Sequence, residues 1–148
     1  PKLDAEVRRM AAAGIGNYGA EEALPILTRL ADELAPSARS TLITALGRFK
    51  EDEATNTIVK LLKQEPSQAS MCVYALQRQR TAVAARALGE LLESDTASVR
   101  RLAKSALQRM RIPAAKEILA EAEKKAAEEE KEGQQEVEAA AESETGGR

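Results

Sequence analysis

Four stretches of this chain share one spacing, and that spacing limits the possible folds more than any other feature. Val7, Ala38, Gln68 and Val99 act as anchors, separated by 31, 30 and 31 residues. Columns counted from these anchors align without gaps. Three residues on they read Met10, Thr41, Met71, Leu102, and four on they read Ala11, Leu42, Cys72, Ala103. At seven and eight they read Gly14-Ile15, Ala45-Leu46, Ala75-Leu76 and Ala106-Leu107. At twenty the column is Leu27, Ile58, Leu88, Leu119, and at twenty-three it is Leu30, Leu61, Leu91, Ala122. A fixed period of this length is the mark of a stacked repeat solenoid.

Each repeat divides into two helical halves, because apolar residues recur at i, i+3, i+4 and i+7 in both. First helices are expected near 4–17, 36–48, 66–79 and 96–110. Second helices are expected near 21–34, 52–64, 82–93 and from 113 onward. Pro36-Ser37 and Pro66-Ser67 fall in one column and punctuate the repeats, and Pro113 suits the first turn of a helix, where a missing N–H costs least. Asp95 or Thr96 is positioned to cap the helix that follows. Gly16 and Gly47 should end the first helices of their repeats by tolerating positive φ. Gln77 and Gln108 replace them later, so those helices should run on by a turn.

The 148 residues suit one domain, 43% hydrophobic but only 2% aromatic. Small aliphatic side chains favour close helix packing over a β-sandwich. The expected fold is all-α: an α-α solenoid of about four helical hairpin repeats, near 4–34, 35–64, 65–94 and 95–125. One hairpin cannot bury both of its stripes, so neighbours must stabilise one another. The last second helix should extend as a polar cap, closing a solenoid of residues 4–132, with Glu121 and Lys125 as an i, i+4 pair. Gly133 should end it and open an acidic, disordered tail over 133–148. No such cap precedes Leu3, Val7, Met10 and Ile15. Further repeats, a partner, a second copy or a frayed helix could account for that end.

Several chemistries are disfavoured by what the chain lacks. It has no histidine, which removes Ser-His and Cys-His pairs and histidine metal sites. Its one cysteine, Cys72, allows no internal disulfide and shares a column with Ala11, Leu42 and Ala103, so it reads as a small buried apolar residue. No apolar run nears the ~18 residues that span a bilayer. The chain opens at Pro1 without an initiator Met, as a processed product or excised segment would. These features lead to the expectation of a cytoplasmic protein with no catalysis, metal or cofactor.

The units DAEVRRMAAAGIG, SARSTLITALG and ASVRRLAKSALQ resemble HEAT-like repeats of the phycobilin-lyase type, in which a Val-Arg and small residues precede Ala-Leu-Gly. The resemblance covers roughly residues 4 to 122. It implies a right-handed solenoid with second helices on the concave side, which would show Glu22, Arg29, Lys60, Arg86, Glu90 and Lys116. It implies an adaptor or scaffold; a subset of relatives handles phycobilin chromophores and some bind nucleic acid. The arginine of the motif is matched by Arg8, Arg39 and Arg100, which the resemblance casts as partners of acids in the neighbouring repeat. Repeat three departs with Ala69, and the glycine is lost in repeats three and four.

A second periodic feature is polar. Ten residues after the anchors the column reads Asn17, Arg48, Arg78, Arg109, and twelve after it reads Gly19, Lys50, Arg80, Arg111. Six basic residues should therefore form a ladder along one edge, with rungs ~10 Å apart. It is either a solvated rim paired with carboxylates such as Glu51 and Asp52 or a surface for an anionic partner. Residues 1–120 hold 18 Lys and Arg against 14 Asp and Glu, net +4, whereas 121–148 hold 4 against 10, net −6. A basic solenoid with an acidic tail could fold the tail over its own ladder. Nucleic acid is disfavoured by the scarcity of stacking aromatics and the weak net charge. The function expected is a non-catalytic protein-interaction scaffold whose partner offers an acidic segment. The alternatives are a bilin-lyase-like chromophore-handling protein and a nucleic-acid binder using the basic edge.

Overall fold

The computed structural model describes Gly14 and residues 19–145. Apart from Gly14, the expected helix over 4–17 lies outside the described residues, as does Arg8. The described elements are α1 (Ala20–Glu33), α2 (Pro36–Leu46), α3 (Asp52–Gln64), α4 (Ala69–Gln79), α5 (Ala82–Glu90), α6 (Ala97–Met110) and α7 (Pro113–Thr145). Single 3-10 turns at Pro66–Gln68 and Leu91–Glu93 lead into α4 and follow α5. Among the described residues there is no strand.

The helices stack in two layers. α2, α4 and α6 pack in series in one, and α1, α3, α5 and α7 in the other, so the fold is an all-α solenoid. The anchor columns explain why. Leu42, Leu46, Leu76 and Leu107 of the first layer and Leu27, Ile58 and Leu88 of the second are almost wholly removed from water. Each such side chain contributes on the order of 1.5–3 kcal/mol by burial. The column at twenty-three weakens along the stack: Leu30 and Leu61 are buried, but Leu91 and Ala122 only half so.

Local signals fix the helix ends. Pro36, Pro66 and Pro113 each open an element, as expected of residues with a preset φ and no N–H to satisfy. Thr96 is the N-cap of α6 without a side-chain cap bond, whereas Thr81 caps α5 by accepting from the Ala84 amide at 3.1 Å. The longer helices expected from Gln77 and Gln108 are present: α4 and α6 end eleven residues after their anchors, against eight for α2.

Three expectations need correction. Gly47 does end α2, but at φ −63°, in ordinary right-handed geometry. Its smallness matters instead, because a Cβ there would lie 3.0 Å from the Cα and Cβ of Ala75. Leu102, placed in the packing stripe by its column, is 41% exposed. Gly133 does not end the last helix, since α7 runs through it to Thr145. A mid-helix glycine costs about 1 kcal/mol relative to alanine, and the Ala, Glu, Gln and Lys around it are good enough helix formers to carry the helix through.

The path of α7 also sets where the acidic segment goes. Pro113 starts it beside the end of α6, and Lys125 reaches Glu93 at 2.6 Å, level with the far end of α5. That bond and the Glu93 charge raise the pKa of the Lys125 ammonium. Lys125 also lies 4.0 Å from Glu129, so its partners are Glu93 and Glu129 rather than Glu121. Beyond it, residues 127–143 are all exposed.

Candidate functional site

The six ladder residues all lie where the first layer turns into the second, and all six are exposed. The turns are not alike. In repeat two, α2 stops at Leu46 and a loop over 47–51 leads to α3, so Arg48 and Lys50 sit on that loop. In repeats three and four only residues 80–81 and 111–112 link the helices. Arg78 and Arg109 therefore lie inside the last turns of α4 and α6, and Arg80 and Arg111 are the C-caps. A link this short must reverse the chain within one residue. Both arginines accordingly adopt left-handed geometry at φ 53°, and they are the only non-glycine residues with positive φ among the described residues. That region normally favours glycine, and side chains there carry strain.

Neighbouring repeats hold these turns rigid. Gln79, between Arg78 and Arg80, is 1% exposed. Its side-chain oxygen accepts from the Thr55 hydroxyl at 2.9 Å, and its amide nitrogen donates to the Leu46 carbonyl at 3.4 Å. It is thus a second donor to a carbonyl at the end of α2 that also accepts from the Phe49 amide at 3.1 Å. At the end of α6, Arg80 Nε donates to the Met110 carbonyl at 3.1 Å. Arg80 is therefore partly structural. The side chains of Lys50, Arg78, Arg109 and Arg111 make no hydrogen bond or ion pair among the described residues, while Arg48 has a partner of its own. Nothing in the sequence singled out Gln79. Its column reads Tyr18, Phe49, Gln79, Met110, and one polar residue among large apolar ones was the available signal.

The electrostatics differ along the edge. Basic side chains in the last turns of α4 and α6 complement the negative ends of those helix dipoles. At the same edge α3 begins with Asp52 and Glu53 just after Glu51, which offset Arg48 and Lys50. α5 and α7 begin with no acidic residue in their first turns. Positive charge therefore concentrates on repeats three and four, where four arginines flank two helix N-termini of like sign. With Arg111 strained and unpaired, replacing it by glycine should raise stability by ~0.5–1 kcal/mol in urea unfolding, as left-handed strain is relieved against glycine's greater chain entropy.

The motif arginines of the first layer sit at the opposite edge. Arg39 Nε donates to the Leu34 carbonyl at 3.2 Å, and its Nη1 lies 3.7 Å from Glu65 of the next junction. Arg100 instead donates to two backbone carbonyls, of Ser94 at 2.6 Å and Asp95 at 2.9 Å. The expected pairing with neighbouring acids is thus present for Arg39, while Arg100 ties down a loop. On the second layer, Lys60 pairs with Asp32 of the preceding repeat at 2.5 Å. Cys72 is fully buried, and burial pushes its thiol up to about 12, which leaves it unreactive near neutral pH. Among the described residues no group of His, Cys, Asp or Glu is placed to hold a metal ion, and no helix is long and apolar enough to cross a membrane.

A protein-family model described as HEAT repeats matches residues 2–70. No curated protein sequence matches the chain. The matched span takes in α1, α2 and α3 and ends at the start of α4.

Proposed function

We propose that this chain, a HEAT-like repeat protein by its solenoid and by that match, is a non-catalytic adaptor that binds an acidic segment of a partner protein along the basic edge of repeats three and four. The observation that carries the reading is the grouping of Arg78, Arg80, Arg109 and Arg111 beside two helix N-termini without acidic residues. Partner arginines and dipole ends of one sign attract a carboxylate-rich segment over distances comparable to the Debye length, about 8–10 Å at ordinary salt. The helical acidic segment of α7 leaves from the other edge, which leaves the arginines open.

A fluorescein-labelled oligoglutamate peptide tests this by anisotropy. Binding should be measurable at low salt and fall steeply as salt rises. The double reversal Arg78→Glu with Arg109→Glu should weaken it by about tenfold or more, against a smaller loss for Lys50→Glu. No binding at low salt, or equal binding by the double variant, would overturn the proposal. Two further arms address the alternatives. Tighter binding of an oligonucleotide of matched charge points to nucleic acid, and an absorbance shift on adding a bilin points to chromophore handling.

A further inference from the structure

The edge opposite the ladder holds a cleft of about 480 Å³ that runs from the end of repeat two across repeat three to repeat four. Leu62, Leu91, Val99 and Leu102 line it, Ala69 and Ser70 at the start of α4 form one wall, and Ser94 and Thr96 form another. Its size falls in the range of clefts that take ligands. The repeat register explains the opening. One residue after the anchors, repeats two and four carry Arg39 and Arg100, whose side chains bond to the junction loops. Repeat three carries Ala69 at that position, so no side chain fills the space.

The missing arginine also leaves an acid without its counterpart. Glu65, twenty-seven residues after the anchor Ala38 and at the junction with the next repeat, lies 3.7 Å from Arg39. The same column places Asp95 at the junction of repeats three and four, between the cleft residues Ser94 and Thr96. Its carboxylate has no hydrogen bond or ion pair among the described residues. The cleft's own charged side chains are Glu90 and Lys63, which offset each other, and Arg100 is held on the Ser94 and Asp95 carbonyls, so the Asp95 carboxylate is the acid left for an incoming base. Exposed Leu102 adds an apolar surface beside the vacancy.

We infer that this cleft is a docking site for a partner protein segment that inserts an arginine into the register Arg39 fills in repeat two, with an adjacent aliphatic side chain covering Leu102. The guanidinium would face the Asp95 carboxylate, and its aliphatic stem would lie along Val99 and Leu91. Long basic side chains routinely bury their stems in this way while the charged head keeps polar partners. The adaptor would then present two surfaces of opposite character, one at each edge.

The test is an NMR titration of the full ¹⁵N-labelled chain with the dipeptide acetyl-Arg-Leu-amide and its twin acetyl-Gln-Leu-amide. Saturable amide shifts should cluster at Ala69, Ser94, Asp95 and Leu102. The glutamine twin, and the arginine peptide on Asp95→Asn, should each bind about fivefold more weakly. Ala69→Arg should fill the cleft from within, abolishing the saturable shifts while leaving the spectrum elsewhere that of a folded chain. Asp95→Asn, at an exposed loop position, keeps the proposal testable should Ala69→Arg fail to fold. Equal binding of the twins overturns the inference, and so do diffuse shifts along the acidic residues of α7 or no saturable shifts at all.

Discussion

Leu107→Ala should destabilise the chain by ~3 kcal/mol or more, a large share of what a small domain has to lose, while Leu102→Ala should change stability by no more than ~0.5 kcal/mol. The two leucines lie on one helix, α6, and their columns look equally apolar. Leu107 is 1% exposed between the layers, whereas Leu102 is 41% exposed above the cleft. Truncating Leu107 leaves a cavity that rigid neighbours cannot close, and truncating Leu102 removes surface that water already touches. Urea unfolding followed by circular dichroism distinguishes them. Equal losses would mean that the stack closes over the Leu102 side in solution.

The second large effect concerns Gln79. Gln79→Leu should cost ~2–3 kcal/mol, because it strands the Thr55 hydroxyl, 1% exposed, and removes a donor from the Leu46 carbonyl. Adding Thr55→Val should recover about 1 kcal/mol or more, since a buried hydroxyl without a partner costs more than an apolar group of the same shape. The cycle reads the coupling directly. Additive losses would show that water already reaches this pair. The Leu46 carbonyl remains short of one partner in every variant, so recovery should be incomplete.

Much of the architecture was legible because burial in a solenoid repeats with the period of the chain. The anchor columns placed the described helices to within a few residues, apart from the far end of α7, and the prolines marked the starts of three elements. The misreadings share a physical origin: a column gives a residue's phase, not its neighbours in the next repeat. Gly47 looked like a conformational device, yet its role is close approach to Ala75, which only the packing of α2 on α4 creates. Leu102 has the phase of a core residue but lacks a cover, and it borders the cleft that Ala69 also lines. Arg80 and Arg111 give no sequence signal for left-handed geometry; that geometry follows from helices running three residues longer than α2 and leaving a two-residue link. Gly133 is a helix breaker by type, but a long run of strong helix formers on both sides outweighs it. The ladder itself was visible as a spacing. Its concentration in repeats three and four required knowing which helix N-termini carry acids.

The length of α7 has a consequence for how the molecule meets others. At 1.5 Å per residue, its 33 residues extend about 50 Å from the arginine edge. The stretch over 121–145 holds ten Glu against three Lys. The chain is thus polarised lengthwise, like a compass needle, with its positive pole at the turns of repeats three and four. In the field of a negatively charged body it will rotate before contact, so that collisions begin arginine-first and the acidic helix trails into solvent. Orientation before touch raises the share of productive encounters without adding a single contact to the bound state.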